Sequence, residues 1–280
     1  MMARLPIALA LATVIWTAGA SAQEPAIPAD AESAVAALNA SPRHGEWIDV
    51  QEGRSGASRW GDTIRSWIVY PERASRAPVV VVIHEIFGLT DWIRAVADQF
   101  AAEGFIAIAP DLLSGHGPDG GGTPADRQAA VALVRSLRVE DTTRRLSAVA
   151  RHALSLPASN GKFGSVGFCW GGSTSFQFAA NEADLDAAVV YYGSSPDAKM
   201  LARIQAPVVG LYGGDDARVN ATIPDAVREM RRFGKFYEPH QFDGAGHGFL
   251  RQQSGREGAN LEATRKAWPM TVAFFREHME

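Results

Sequence analysis

Five short, nearly unbroken apolar runs constrain this 280-residue chain more than anything else in it: 79–83 (VVVVI), 105–108 (FIAI), 165–168 (SVGF), 187–191 (AAVVY) and 208–212 (VVGLY). A strand with one wet face alternates apolar and polar residues, so continuous runs of this length mark strands buried on both faces. Helical patterns fall between and after them, at 92–103, 125–155 (two helices meeting near 138–141), 171–181, 223–233 and 259–279. This alternation predicts an α/β protein with a mostly parallel twisted sheet covered by helices on both faces. Residues 47–51 and 64–70 partly alternate and read as antiparallel edge strands, and 236–242 reads as one more strand. Ligands of such sheets bind at the carboxyl ends of the strands, so the residues there carry the functional argument.

The chain opens with Met1 to Arg4, an apolar stretch at 5–18 and then Ala20-Ser21-Ala22, the pattern of a signal peptide over residues 1–22. The apolar stretch falls short of the roughly 20 residues a membrane-spanning helix needs. The expectation is cleavage after Ala22 and a periplasmic or secreted protein free of the membrane. Residues 23–46 are rich in Ala, Pro and Ser and predict a loosely packed N-terminal arm, leaving 47–280 as one domain. A formal net charge of −4 argues against nucleic acid or an anionic membrane as partner. The glycine-rich stretch 115–124 (GHGPDGGGTP) lacks the closing Gly-Lys-Ser/Thr of a phosphate loop and predicts a flexible loop near the mouth of the site.

Export sharpens the meaning of Cys169, the only cysteine. In an oxidising compartment cysteines are normally paired, and a solitary one is buried and inert, shared between chains, or reactive. Its setting, Gly167-Phe168-Cys169-Trp170-Gly171 after a buried strand, has the form of a nucleophile elbow with sulfur in place of a serine hydroxyl. A helix N-terminus under the thiol predicts a lowered pKa, and the Trp170 backbone N–H is placed where an oxyanion would form. The strand at 208–212 ends in Gly213-Gly214-Asp215-Asp216, and His247 follows in a glycine-rich loop (GAGHGF at 244–249). Nucleophile, acid, base is the chain order of an elbow-type triad. Taken singly, the two aspartates could be turn formers and His247 an ordinary loop histidine. His44, His116, His152, His240 and His278 lack such a setting and read as surface residues. Glu85 directly follows a buried run, where a carboxyl group must be hydrogen-bonded or functional; a cap or salt bridge is its alternative role. The pair His84-Glu85 lacks the second histidine of a zinc-binding H-E-x-x-H.

On these motifs the sequence resembles the dienelactone hydrolases, cysteine-based members of the α/β-hydrolase fold, over about residues 47–278: HEIFG at 84–88, NGK at 160–162 leading into GFCWGG, the Gly213-x-x-Asp216-x-x-Val219 spacing, and Gly246-His247. The resemblance selects Asp216 over Asp215 as the triad acid. It implies that Glu85 contacts the resting thiol, that the Ile86 N–H completes the oxyanion hole with Trp170, and that Arg251 binds a substrate carboxylate. Arg127 matches a second such arginine by spacing, with a plain surface role as its alternative. Gly248 stands where the well-known members have a serine, and Trp170 where a smaller apolar residue is common.

The expectation is a hydrolase of a carboxylate-bearing ester or enol-lactone, acting on a small molecule through Cys169, His247 and Asp216 with no metal and no organic cofactor. A general carboxylesterase or thioesterase with the same triad is the rival enzyme. A non-catalytic periplasmic binding protein with a buried, inert Cys169 is the rival from another class.

Overall fold

The computed structural model describes residues 26–53 and 63–280, so the expected signal peptide at 1–22 lies outside the described residues. Eight strands, β1 (Gly45–Gln51), β2 (Thr63–Val69), β3 (Ala77–Ile83), β4 (Ile106–Pro110), β5 (Ser159–Phe168), β6 (Ala187–Tyr191), β7 (Val208–Gly213) and β8 (Tyr237–Phe242), form one sheet in the order β1-β2-β4-β3-β5-β6-β7-β8. β1 and β2 are the antiparallel strands at one edge, and β3 to β8 run parallel.

The helices are α1 (Ala34–Ala40), α2 (Asp91–Ala102), α3 (Arg127–Ser136), α4 (Val139–Leu154), α5 (Trp170–Asn181), α6 (Ala198–Leu201), α7 (Ala217–Asn220), α8 (Ile223–Arg232) and α9 (Ala259–Met279). They divide the core in two. Val80 and Val82 of β3 pack on one side with Trp92, Phe100, Trp268 and Phe275 from α2 and α9, whereas Val79, Val81 and Ile83 pack on the other with Leu146, Val149, Phe176 and Met230 from α4, α5 and α8. Successive side chains of a strand point to opposite faces, so a run with a helical layer on each side must be apolar at every position.

The N-terminal arm differs from expectation. Ala34 is buried, the Trp92 indole donates to the Ala29 carbonyl at 3.1 Å, Gln253 donates to the Pro28 carbonyl at 2.8 Å, and the Ala31 N–H donates to the Arg251 carbonyl at 3.0 Å. Arg43 and Ser41 both close on the carboxylate of Asp98 in α2. The segment is tied to the domain by these polar bonds and by Ile27, Ala31, Ala34 and Leu38 packed on the core.

The chain steps from β3 outward to β4 and then back across to β5 on the other side of β3. That reversal is the switch point where open α/β sheets bind ligands. The carboxyl ends of β3 and β5 meet there, with Ile83 paired to Gly167.

Candidate active site

Cys169 occupies the sharp turn between β5 and α5, with φ 57° and ψ −115°. Few non-glycine residues adopt positive φ, and strain of this kind concentrates at functional sites. The flanking glycines are sterically required. A Cβ on Gly167 would lie 1.8 Å from the Gly171 carbonyl oxygen, and one on Gly171 would lie 2.3 Å from that of His84. Without side chains there, β3, β5 and α5 close around the turn.

From the thiol a line of hydrogen bonds runs across the strand ends. Cys169 Sγ lies 3.0 Å from His247 Nε2, and His247 Nδ1 lies 2.6 Å from Asp216 Oδ2. A proton on Nδ1, donated to the buried Asp216 carboxylate, leaves Nε2 as acceptor for the thiol proton. Asp215 is turned to the surface, where it pairs with Arg256 at 3.1 Å. The backbone N–H groups of Trp170 and Ile86 favour the anion of the sulfur, as does the charge of Arg218. The Trp170 indole stacks on the buried His84 ring at 5.5 Å, and His84 Nδ1 sits 2.7 Å from the Glu85 carbonyl oxygen.

These anion-favouring contacts do not win. Burial first, and the charge of Glu85 second, push the Cys169 thiol above its ordinary value, which corrects the expectation of a thiol lowered by the helix terminus. The field of a helix terminus is weak beside the cost of desolvating a buried anion. Burial and the charge of Glu85 thus favour the protonated thiol at Cys169.

Glu85 is 3% exposed, and burial raises its carboxyl to about 7 against the opposing charges of Arg251 and Arg127. Its Oε2 lies 3.1 Å from Arg251 Nε, yet neither atom has a hydrogen bond, so the two are close without being aligned. Glu85 was expected to contact the resting thiol. Instead the thiol's hydrogen bond runs to His247 and Glu85 faces Arg251.

Beyond Ile86, the Phe87 ring is approached by two guanidinium groups, Arg127 at 3.6 Å and Arg251 at 5.3 Å. The same three residues, with Leu89, Thr123 and Pro124, line a cavity of about 400 Å³. Arg127 is thus exposed, as its alternative role required, and also faces this cavity. Thr123, near the end of the glycine-rich loop, donates from Oγ1 to Asp111 at 2.8 Å and accepts from the Leu89 N–H at 2.9 Å, so this end of the loop is tied down. His44 is exposed, and His116, His152, His240 and His278 are partly exposed. Burial lowers His116 to about 4.

Sequence reasoning missed Tyr192, Arg218 and the stacking role of Phe87. Tyr192 follows β6, is fully buried, and sets its ring 5.1 Å from that of His247. A tyrosine doublet closing a buried strand was its one sequence signal. Among the described residues no three His, Cys, Asp or Glu side chains are grouped to hold a metal ion, and no helix is long and apolar enough to cross a membrane.

Known proteins share this arrangement of chain. A carboxymethylenebutenolidase of Pseudomonas putida is 33% identical over 219 residues, spanning 76% of this chain and 92% of its own. A solved structure of a dienelactone hydrolase-like promiscuous phosphotriesterase from metagenomic libraries is 26% identical with a TM-score of 0.70, covering 85% of this chain and 99% of that one. The profile of the dienelactone hydrolase family matches residues 64–279, from the second strand to the end of the last helix, and the chain belongs to that family.

Proposed function

We propose that the protein cleaves a carboxylate-bearing ester or enol-lactone through an acyl-thioester on Cys169. The observation that carries this reading is the unbroken line from thiol to imidazole to carboxylate, at 3.0 Å and 2.6 Å, with the Trp170 and Ile86 amides favouring the sulfur anion. His247 takes the thiol proton as sulfur attacks the carbonyl carbon, and the carbonyl oxygen becomes an oxyanion held by the Trp170 and Ile86 amides. Collapse expels the alkoxide or enolate, which receives that proton from His247. Water then attacks the thioester with His247 again as base, releasing the acid and restoring the thiol. Asp216 fixes the imidazole tautomer throughout. Arg251, with Arg127 beside it over Phe87, supplies the positive wall that favours substrates carrying a carboxylate. The name of the Pseudomonas putida relative, a butenolide-opening hydrolase, supports the same substrate class.

The test is a burst assay with 4-nitrophenyl acetate. The wild type is expected to release one equivalent of nitrophenol rapidly, and iodoacetamide to abolish turnover in step with alkylation of Cys169. A Cys169→Ala variant with full turnover would overturn the reading.

A further inference from the structure

His84 follows β3 beside the elbow, and the scheme above gives it no role. Its side chain is wholly buried, and its ring stacks on the Trp170 indole with centroids 5.5 Å apart and planes 19° from parallel. Its backbone is fixed as well, because Gly171 packs so closely that a Cβ there would lie 2.3 Å from the His84 carbonyl oxygen. From this anchored position His84 Nδ1 lies 2.7 Å from the Glu85 carbonyl oxygen. A carbonyl oxygen only accepts, so Nδ1 carries the proton and donates. Burial lowers the pKa of His84 and keeps the ring neutral, which leaves Nε2 a bare acceptor with no partner among the described residues. The opposite tautomer would strand a buried N–H at Nε2 and set two lone pairs against each other across the short contact.

The bonded oxygen belongs to a peptide group with a second function. The carbonyl of Glu85 and the N–H of Ile86 form one planar unit, conjugated through the C–N bond. A hydrogen bond accepted by the oxygen draws electron density from the nitrogen and strengthens the N–H as a donor, and the rigid plane passes any constraint on one end to the other. The same oxygen also accepts from the Gly88 N–H at 3.2 Å, in a turn that Gly88 closes with a φ of 74°. The Ile86 N–H is one of the two amides that favour the Cys169 anion, and the other comes from Trp170, whose indole covers the His84 ring.

We propose that His84 is a positioning residue for the oxyanion hole: its Nδ1–H, bonded to the Glu85 carbonyl, orients and polarises the peptide group whose other end, the Ile86 N–H, receives the oxyanion. This rests on the ester-hydrolase reading for the oxyanion itself. The gain grows as negative charge builds on the substrate's carbonyl oxygen, so His84 lowers the barrier without touching the substrate.

His84→Phe keeps an aromatic ring over Trp170 and removes the donor, whereas His84→Asn offers an amide N–H in place of Nδ1–H. The dipeptide Glu-Ile occurs once in the sequence, at 85–86, so carbonyl-¹³C glutamate and ¹⁵N isoleucine together give a single NMR correlation for this peptide group. Without substrate, that correlation is expected to move upfield in ¹⁵N in His84→Phe and to return in His84→Asn. In the wild type, ¹⁵N-labelled histidine should show the His84 ring neutral and protonated at Nδ1, a readout that needs no variant to fold. Catalysis is read as the ratio of kcat/KM for 4-nitrophenyl acetate to that for its thiono analogue, in which a poorly accepting sulfur replaces the carbonyl oxygen. Misfolded enzyme lowers both rates alike and leaves the ratio unchanged. The ratio should fall roughly ten-fold in His84→Phe, a part of the ~10²–10³ that loss of a whole oxyanion donor costs, and recover to within about two-fold of wild type in His84→Asn. A ring protonated at Nε2 overturns the proposal, as does an unmoved correlation in His84→Phe, a ratio that stays at the wild-type value there, or one that His84→Asn fails to restore. Turnover of neither ester, or turnover that survives Cys169→Ala, strikes the hydrolase reading instead when the NMR pattern is intact.

Discussion

Two lines of charge meet at Cys169, and they are built differently. On one side Asp216 and His247, from the ends of β7 and β8, make short aligned bonds that end on the sulfur. On the other, Glu85 and Arg251 face each other at 3.1 Å without a hydrogen bond. The first line is complete as it stands. Polar groups in the second have bonding capacity left over, which suits the carboxylate-binding wall proposed for Arg251. A reaction centre needs its proton path fixed before substrate arrives, whereas a recognition wall needs donors still to give.

The largest test of this contrast is Asp216→Asn. An amide at that place can donate to Nδ1 and so leave Nε2 protonated, facing the sulfur with no lone pair for its proton. A fall in kcat on the order of 10⁴-fold is expected. It should be the same for 4-nitrophenyl acetate and for its carboxylate-bearing counterpart, because the line is blind to the substrate's charge. A loss confined to one of the two esters would break the division between the two sides.

The first line was largely legible in the sequence and the second was not. Gly167 and Gly171 announce the elbow because backbone crowding forbids any other residue, and the order Cys169, Asp216, His247 follows the order of strand ends in the sheet. The parallel strands were equally plain, since a strand between two helical layers cannot hide its apolar run. What failed to show depends on side chains converging from distant segments. The helix under Cys169 can be read from sequence, but burial of the sulfur and the charge of Glu85, which push its thiol up, cannot. Arg251 and Glu85 are separated by most of the domain in sequence, and their misaligned approach has no local cause. Part of what holds the N-terminal segment is hydrogen bonds to the backbone carbonyls of Pro28 and Ala29, which any residue could offer.

Glu85 gives the second test, of intermediate size and in stability rather than rate. Its folded value of about 7 lies above the ordinary 4.5, so between these pH values the native state holds a proton that the unfolded chain has released. The stability this provides is fully present below about pH 4.5 and is lost as pH rises through about 7. With the side chain almost wholly buried, the loss is about 3 kcal/mol. Glu85→Gln cannot titrate, so urea denaturation should find the variant gaining on the wild type by about that amount between the two pH values. Parallel stability curves would mean that Glu85 is a settled ion pair like any structural one, and the contrast with Asp216 would lose its basis.

The smallest effect is expected from Arg251→Lys, which keeps the charge and discards the planar fork. A lysine ammonium can still neutralise Glu85 across the same gap, so the fold and the line through His247 are left as they are. It cannot present two parallel N–H groups to a substrate carboxylate, and its more strongly hydrated charge stacks less well beside Phe87. KM for mono-4-nitrophenyl succinate should rise roughly ten-fold, the worth of one charge-assisted hydrogen bond, while kcat and both constants for 4-nitrophenyl acetate stay within about two-fold. A comparable fall in kcat on the neutral ester would place Arg251 in the reaction centre itself, because a group that only recognises the substrate's carboxylate has nothing to act on when none is present.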